Sequence, residues 1–353
     1  MGIFWALVAL SVMIFIHELG HYLAAKFFCV KVERFSIGFG PVLAKKMCCG
    51  NEWAISALPL GGYVQMKGQD DTDPGKLSSD PDSYSAKKPW QRIVILLAGP
   101  FANFFLAYML YLFIALWGYQ AYAPQIGKVL PHSPAAQAGL RSGDRILAVD
   151  GHSVATWNQM SDYLQHHPHA FDLLIKRGEK RLHITVAPKL TATKNIFGEK
   201  IKRPMIGIAP DFKATVTVHH TLLSATTYAW QKTVDAAKFI VVGIEKMIEG
   251  IVSPKEIGGV ITIVDVTAKA SQIGLAPFLA LCALISVNLG ILNLLPIPAL
   301  DGGHIMINLY EMITRKSPTP QMLYRITYVG WIFIIGLLGL GLYNDINRLL
   351  GAH

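Results

Sequence analysis

The chain has 353 residues, 52% of them hydrophobic and only 16% charged, and 32 Lys and Arg against 23 Asp and Glu leave a formal charge of +9. A soluble globular domain carries about 25% charged residues, so the composition excludes an ordinary soluble protein, and it is too apolar for a disordered one. The four cysteines, Cys29, Cys48, Cys49 and Cys282, form neither a CxxC pair nor a disulfide framework, and no basic, aromatic-laced nucleic-acid motif accompanies the positive charge.

A membrane helix needs about 20 apolar residues to cross ~30 Å of hydrocarbon, and four segments meet or approach that length. The first runs from the amino terminus to Ala25, interrupted only by His17, Glu18 and His21. It lacks the basic start and A-x-A cleavage site of a signal peptide, so it is expected to remain as a span. Within it, His17-Glu18-Leu19-Gly20-His21 spells HExxH. On a helix, positions i and i+4 share a face about 6 Å apart, which suits two imidazoles on one zinc ion. The adjacent carboxylate can take a proton from water. Each charged group inside a span costs ~2.5–3.5 kcal/mol on insertion scales, and a merely structural role at a helix end does not account for that cost. Counted from Ile3, His17 lies about 21 Å along a helix, roughly 9 Å short of the far face of a ~30 Å core.

The runs Trp53–Leu58 and Tyr63–Met66 alternate in polarity and are separated by Pro59, Gly61 and Gly62, so they read as the strands of a β-hairpin. A peptide cannot be cut while it remains helical, and a strand edge beside the metal could hold it extended by strand addition. Gly61, Gly62 and Tyr63 are therefore candidate substrate contacts, with a purely structural hairpin as the alternative. Residues 68–89, acidic and rich in Pro and Ser, read as a mobile loop.

The second span runs from Ile93 to about Trp117, and its Asn103 reads as an amide that joins membrane helices. The following segment contains Ser133-Pro134-Ala135, Ala138-Gly139-Leu140, Gly143-Asp144 and Val149-Asp150-Gly151, a pattern that looks like a PDZ core. Ser133 is placed to cap a short helix begun by Pro134. Thr156 to His166 reads as a helix, and Ala170 to Ile175 and Arg181 to Val186 read as strands. Such a domain either takes an extended peptide along a sheet edge or excludes substrates with bulky outer domains, and the filter is the preferred reading. His166, His167 and His169 read as exposed loop histidines rather than a second metal site. His219 to Ile251 carries charges at helical spacing and is expected to form an amphipathic helix too interrupted to span. Gly258-Gly259-Val260-Ile261 has no local explanation.

The third span runs from Pro277 to Leu295. Asn288 and Asn293, near the Pro296-Ile297-Pro298 break, are candidate hydrogen-bonding contacts for an unwinding substrate. A catalytic zinc keeps three protein ligands and one open position; Asp301 is the favoured third ligand and His304 its rival. The last span runs from Ile326 to Tyr343. Lys26, Lys31, Arg34, Lys87, Lys88, Arg92, Arg315, Lys316 and Arg325 flank the spans on one side. By the positive-inside tendency, residues 26–92 and 296–325 are expected to be cytoplasmic, and the termini and residues 118–270 external.

HELGH in span one, GFGP (Gly38 to Pro41), PLGGYV (Pro59 to Val64), GPxxN (Gly99 to Asn103) and NLLPIPALDGG (Asn293 to Gly303) together resemble the site-2 protease family of zinc intramembrane metalloproteases. Within it the chain is most similar to the bacterial branch that cuts membrane-bound anti-sigma factors. The resemblance implies Zn2+ on His17, His21 and Asp301, Glu18 as catalytic base, single-pass membrane proteins as substrates and the bacterial inner membrane as location. The best-known relatives have two tandem PDZ domains, whereas one is legible here. The expected fold is an α-helical polytopic membrane protein with four transmembrane helices, a cytoplasmic-side β-hairpin region and one external α+β PDZ domain. The expected division is 1–118, with HExxH and the β region; 119–190, the PDZ domain; 191–270, the amphipathic helix; and 271–353, the last two spans. The expected partners are a single-pass substrate and the lipid bilayer, with no nucleic acid. Two rivals remain: a non-catalytic PDZ-bearing membrane adaptor, for which Glu18 and Asp301 would be dispensable, and a metal transporter, for which no inverted repeat is visible.

Overall fold

A computed structural model of the chain describes residues 2–48, 50–69 and 78–351. The chain divides into two units, one formed by Met1–Ile114, Ser224–Met247 and Ser253–His353, the other by Ala115–Leu223 and Ile248–Val252.

In the first unit, α1 (Gly2–Phe27), α2 (Pro89–Trp117), α7 (Leu275–Leu294) and α9 (Pro320–Leu349) are, among the described residues, the helices long and apolar enough to cross a membrane. They correspond to the four expected spans. The fourth starts earlier than its hydropathy suggests, because Thr319 caps it through the Met322 N–H and Pro320 occupies the first turn. The helices approach through small residues. A Cβ on Gly20 of α1 would meet the Ala98 carbonyl of α2 at 2.3 Å, and one on Gly290 of α7 would meet the Pro100 carbonyl at 3.2 Å. The Ser286 hydroxyl of α7 donates to the Asn103 carbonyl at 2.9 Å. Close backbone approach with polar contacts is how helices adhere where lipid removes the usual hydrophobic drive.

Two strands, β1 (Val32–Cys48) and β2 (Asn51–Met66), build the expected β region, but not as a hairpin of Trp53–Leu58 with Tyr63–Met66. Both strands bend back on themselves. Phe35 pairs with Val64 on one side and Trp53 on the other, and Lys46 pairs with Trp53. Residues 32–37 therefore lie between the two runs, and residues 62–66 become the outer edge. Aromatic packing provides the reason: Phe35 is fully buried, stacks on Trp53 at 4.6 Å and receives the edges of Phe15 and Tyr22 from α1. That cluster presses the sheet against the helix that carries HExxH.

In the expected loop, residues 70–77 lie outside the described residues. Residues 78–88 have no helix or strand, but they are pinned. Lys67 bridges Asp80 and Asp82 at 2.7 Å, and Ser83 and Ser85 donate to the Ser78 carbonyl at 2.7 Å.

The Gly258-Gly259 segment finds its explanation in α6 (Val260–Ile273). Asp345 of α9 accepts the N–H groups of Gly259, Ile261 and Thr262, at 2.9 to 3.2 Å, and the Thr262 hydroxyl. A carboxylate from another helix thus caps α6 and meets its positive end. A Cβ on Gly259 would strike Asp345 and Gly341. After α7, α8 (Asp301–Thr314) follows the Pro296–Pro298 turn.

The second unit opens with β3 (Tyr119–Tyr122), β4 (Ile126–Val129) and α3 (Pro134–Gln137), capped by Ser133 as expected. A four-stranded antiparallel sheet combines β5 (Arg145–Val149), β6 (His152–Ser153), β7 (Phe171–Arg177) and β8 (Lys180–Val186) in the order β6-β5-β7-β8, with α4 (Trp157–His166) capped by Thr156. Ile126, Ile146, Met160, Phe171, Leu173 and Ile175 form its core. The unit does not stop at 190. After the hairpin β9 (Lys189–Lys194) and β10 (Lys200–Met205), β11 (Ile208–Pro210) pairs with β4 and β12 (Thr215–Val218) pairs with β3. Short strands supplied from both ends close the unit, and hydropathy does not show such long-range pairing. The expected amphipathic helix is α5 (Leu222–Ile248), which belongs almost wholly to the first unit and buries Ala225, Ala229, Thr233 and Ala236.

One half-buried ion pair in this unit makes a pH-dependent contribution. Asp144 is 1% exposed. Its carboxylate accepts from Arg177 Nε and Nη2 at 2.7 Å and from the Arg141 N–H at 2.8 Å. Burial pushes this carboxyl up, but the Arg177 guanidinium and the Arg141 N–H outweigh it and hold it below the ordinary carboxylate value. The stabilisation is therefore complete above the unfolded value of about 3.9 and is lost as pH falls through the lower folded value. Arg177→Met is expected to destabilise the unit by about 1–3 kcal/mol at pH 7, because the carboxylate keeps the Arg141 N–H but loses its guanidinium partner. The gap to wild type should narrow in acid. Hydrogen exchange at the Ile146 and Ile175 amides measures it, and a gap that stays constant from pH 7 to pH 3 would contradict the pairing argument.

Candidate metal centre

Three side chains converge in the first unit. His17 Nε2 lies 3.2 Å from His21 Nε2, and Asp301 Oδ2 lies 3.2 Å from His17 Nε2 and 3.4 Å from His21 Nε2. The histidines are 8% and 6% exposed. The α1 repeat stacks them on one face, and the turn before α8 brings in Asp301. That turn is tight: Ala299 has φ +69°, and Cβ atoms on Gly302 and Gly303 would meet the carbonyls of Leu295 at 2.1 Å and Ile297 at 2.4 Å. Gly330 of α9 packs as closely on Pro298 from outside.

The residues fit zinc. A tetrahedral site with arms near 2.05 Å has ligand-to-ligand edges of about 3.3 Å, and the three separations match it. Asp301 Oδ2 is buried with no hydrogen-bond partner, which is costly unless a cation satisfies it. Among the described residues, His17, His21 and Asp301 form the group able to hold a metal ion. His304 lines the adjoining cavity but is not part of that group.

Helix α2 sets the histidine tautomers. His21 Nδ1 lies 2.9 Å from the Ile95 carbonyl, which can only accept, so Nδ1 carries the proton and Nε2 keeps its lone pair for a metal. His17 Nδ1 lies 3.3 Å from the Asn103 side-chain nitrogen, while Asn103 Oδ1 is buried without a partner. Turning the Asn103 amide so that its oxygen faces His17 satisfies both groups. Asn103 Oδ1 then accepts His17 Nδ1–H, and His17 Nε2 is free to ligate. Asn103 reads in sequence as helix glue; the structure puts it against a ligand. The GPxxN motif was the signal that could have exposed this. Its glycine has a role too, since a Cβ on Gly99 would lie 2.2 Å from His21 Nε2.

A cavity of about 760 Å³ surrounds the cluster and is lined by Glu18, Gly61, Gly62, Tyr63, Asn103 and Asn293. A Cβ on Gly62 would meet the Ser36 carbonyl at 2.8 Å and Glu18 Cγ at 3.4 Å, so the outer edge of the sheet runs against the HExxH carboxylate. The Tyr63 hydroxyl accepts from Arg34 at 3.3 Å. Asn293 Nδ2 lies 3.3 Å from His17 Nε2. Asn288 does not line this cavity. Five residues at 3.6 per turn separate the two asparagines by about 140° around α7, so both cannot face one site. The exposed His166 and His167 each place Nδ1 near the carbonyl four residues back, Asp162 at 2.7 Å and Tyr163 at 2.8 Å.

Residues 5–337 match the family described as Peptidase family M50. Proteins bearing the name "Putative zinc metalloprotease" in Campylobacter jejuni and Helicobacter pylori (strain J99) are 44% and 37% identical to this chain. The first alignment covers 97% of this chain and 92% of the relative, the second 98% and 99%. The PDZ domain of an SdrC-like protein of Listeria monocytogenes is 26% identical over 26% of this chain and 88% of that one, with a TM-score of 0.20. The family match spans nearly the whole sequence, including every element that carries the metal-ligand geometry, so the chain belongs to peptidase family M50 and is a zinc metalloprotease.

Proposed function

We propose that this protease cuts the membrane-spanning segment of a single-pass protein, near the cytoplasmic face, after an earlier external cut. The observation that carries the reading is the position of the ligand cluster, on a helix apolar enough to span and beside a β edge. A zinc ion held by His17, His21 and Asp301 supplies Lewis acidity and makes water a better nucleophile near neutral pH. Glu18 takes the proton of the attacking water and returns it to the leaving amine. The Asn293 side-chain N–H donates to the carbonyl oxygen as negative charge grows on it. The main chain of Gly62 to Met66 holds the unwound substrate as an added strand, and Gly62 lets that edge lie close to Glu18.

The Lys and Arg distribution supports a cytoplasmic β region and an external second unit, and that unit acts as a filter against substrates with large outer domains. Substrates of this kind include anti-sigma-type regulators and remnant signal peptides, and the setting is the bacterial inner membrane. The test is cleavage of a tagged single-span reporter, with a short outer segment, by the purified protein in lipid, with the cut mapped by mass spectrometry. A cut in the cytoplasmic half of the span, abolished by a zinc chelator, is expected. A cut confined to the soluble tails would overturn the intramembrane reading while leaving the peptidase intact.

A further inference from the structure

The hairpin β9–β10 has no role in the proposed reaction and is unusual in its charge. It forms a two-stranded sheet that shares no ladder with the others, and β10 lies beside α4. Lys189, Lys194, Lys200, Lys202 and Arg203 are all exposed, and none of the five has an acidic partner among the described residues. Lys200 stands directly opposite Lys194 in register, and like charges in that position destabilise a strand pair. An isolated two-stranded hairpin is marginal in water to begin with, so the fold retains a costly arrangement that an anionic partner would relieve.

The tip identifies the partner's chemistry. Asn195 Oδ1 accepts the N–H groups of Phe197 and Glu199 at 2.9 and 3.0 Å, and Asn195 Nδ2 holds Glu199 Oε2 at 2.7 Å. This ordered turn, with Gly198 at φ +83°, presents Ile196, which is 78% exposed. The cation pair Lys194 and Lys200 follows just behind it, and Lys202 lies about 7 Å further back at the strand rise of 3.3–3.4 Å per residue. A tip that exposes Ile196, with the Glu199 carboxylate held back by Asn195, followed by graded cations matches the interface of an anionic bilayer, with hydrocarbon first and phosphates behind. An acidic peptide would use the lysines but would leave Ile196 without a role.

We propose that β9–β10 is a membrane-docking hairpin, with Ile196 entering the bilayer interface and Lys194, Lys200 and Lys202 lying among the phosphates of anionic phospholipids. Each cation near such a surface strengthens docking by about fivefold, and salt weakens it. The proposal does not depend on the identity of the protease substrate.

The experiment places a photoreactive benzoylphenylalanine at Ile196 in the full chain, in nanodiscs of phosphatidylcholine with 30% phosphatidylglycerol or of phosphatidylcholine alone, and reads adducts by intact mass. Phospholipid adducts are expected in the anionic discs. They should fall at least tenfold in the triple variant Lys194→Gln, Lys200→Gln, Lys202→Gln, and in 1 M KCl. The same probe at Glu179, 96% exposed in the turn between β7 and β8, controls for incidental contact. No lipid adduct at position 196, equal adducts in the two disc types, or equal adducts at Glu179 would each overturn the proposal. Adducts to a protein instead of lipid, formed in native membranes, would do the same and point to an acidic protein partner.

Discussion

Replacing Glu18 with Gln is expected to lower kcat by about 10²–10⁴-fold, the usual worth of a positioned general base, with zinc content unchanged. The variant keeps the size and most of the hydrogen-bonding capacity of the side chain and loses only its basicity. Glu18 lines the cavity but is not in the ligand group formed by His17, His21 and Asp301, so its loss should not release the metal. Cleavage of the single-span reporter and elemental analysis of the same preparation separate the two effects. Undiminished cleavage would remove Glu18 from the proposed mechanism, and loss of zinc would mean that the carboxylate belongs to the ligand set. The result also divides this reading from a PDZ-bearing adaptor, in which Glu18 is dispensable.

Gly99→Ala should also be damaging, by a different route. The added methyl would lie 2.2 Å from Nε2 and 2.5 Å from Cε1 of His21, closer than any Cβ contact is tolerated. Retreat of α2 from α1 is opposed by α7, which packs so closely that a Cβ on Gly290 would already meet the Pro100 carbonyl at 3.2 Å. The imidazole must therefore turn, which also breaks its contact with the Ile95 carbonyl. A fall in zinc occupancy of at least tenfold is expected, in line with the effect of disturbing the groups that orient a metal-bound histidine, and cleavage should fall with it. Gly339→Ala is the control, because nothing lies within 4 Å of a Cβ there. Full zinc content in Gly99→Ala would show that the ring has room to move and that the close packing does not position it.

These two residues differ in how they could be found. Glu18 is legible from HExxH, because one turn of helix is local geometry and needs no partner. Gly99 is visible only as a glycine in a motif, and its reason lies in His21, on another helix. Asn103 reads in sequence as helix glue because an amide in an apolar span has that default use; its contact with His17 joins residues 86 apart. Asn288 shows the converse. Proximity to Asn293 in sequence suggested a shared role, and helical rotation separates them. The β region was legible as alternating strands, but which run pairs with which depended on burial of Phe35 between Trp53 and the residues of α1.

The sequence by itself determined what local chemistry dictates: four spans long enough to cross a bilayer, an i, i+4 histidine pair with its carboxylate, a helix cap at Ser133, a helix starting near Thr156, and the break at Pro296 and Pro298. Each depends on residues within a few positions of one another. The tertiary structure decided what long-range contacts dictate. It joined Asp301 rather than His304 to the histidines and set Asn293 against a residue 276 positions away. It also completed the second unit with strands from beyond residue 190 and capped α6 with Asp345. Pattern and propensity act over one or two turns of chain, whereas a metal-ligand set or a closing strand pair depends on backbone paths that only the packed helices and sheets define.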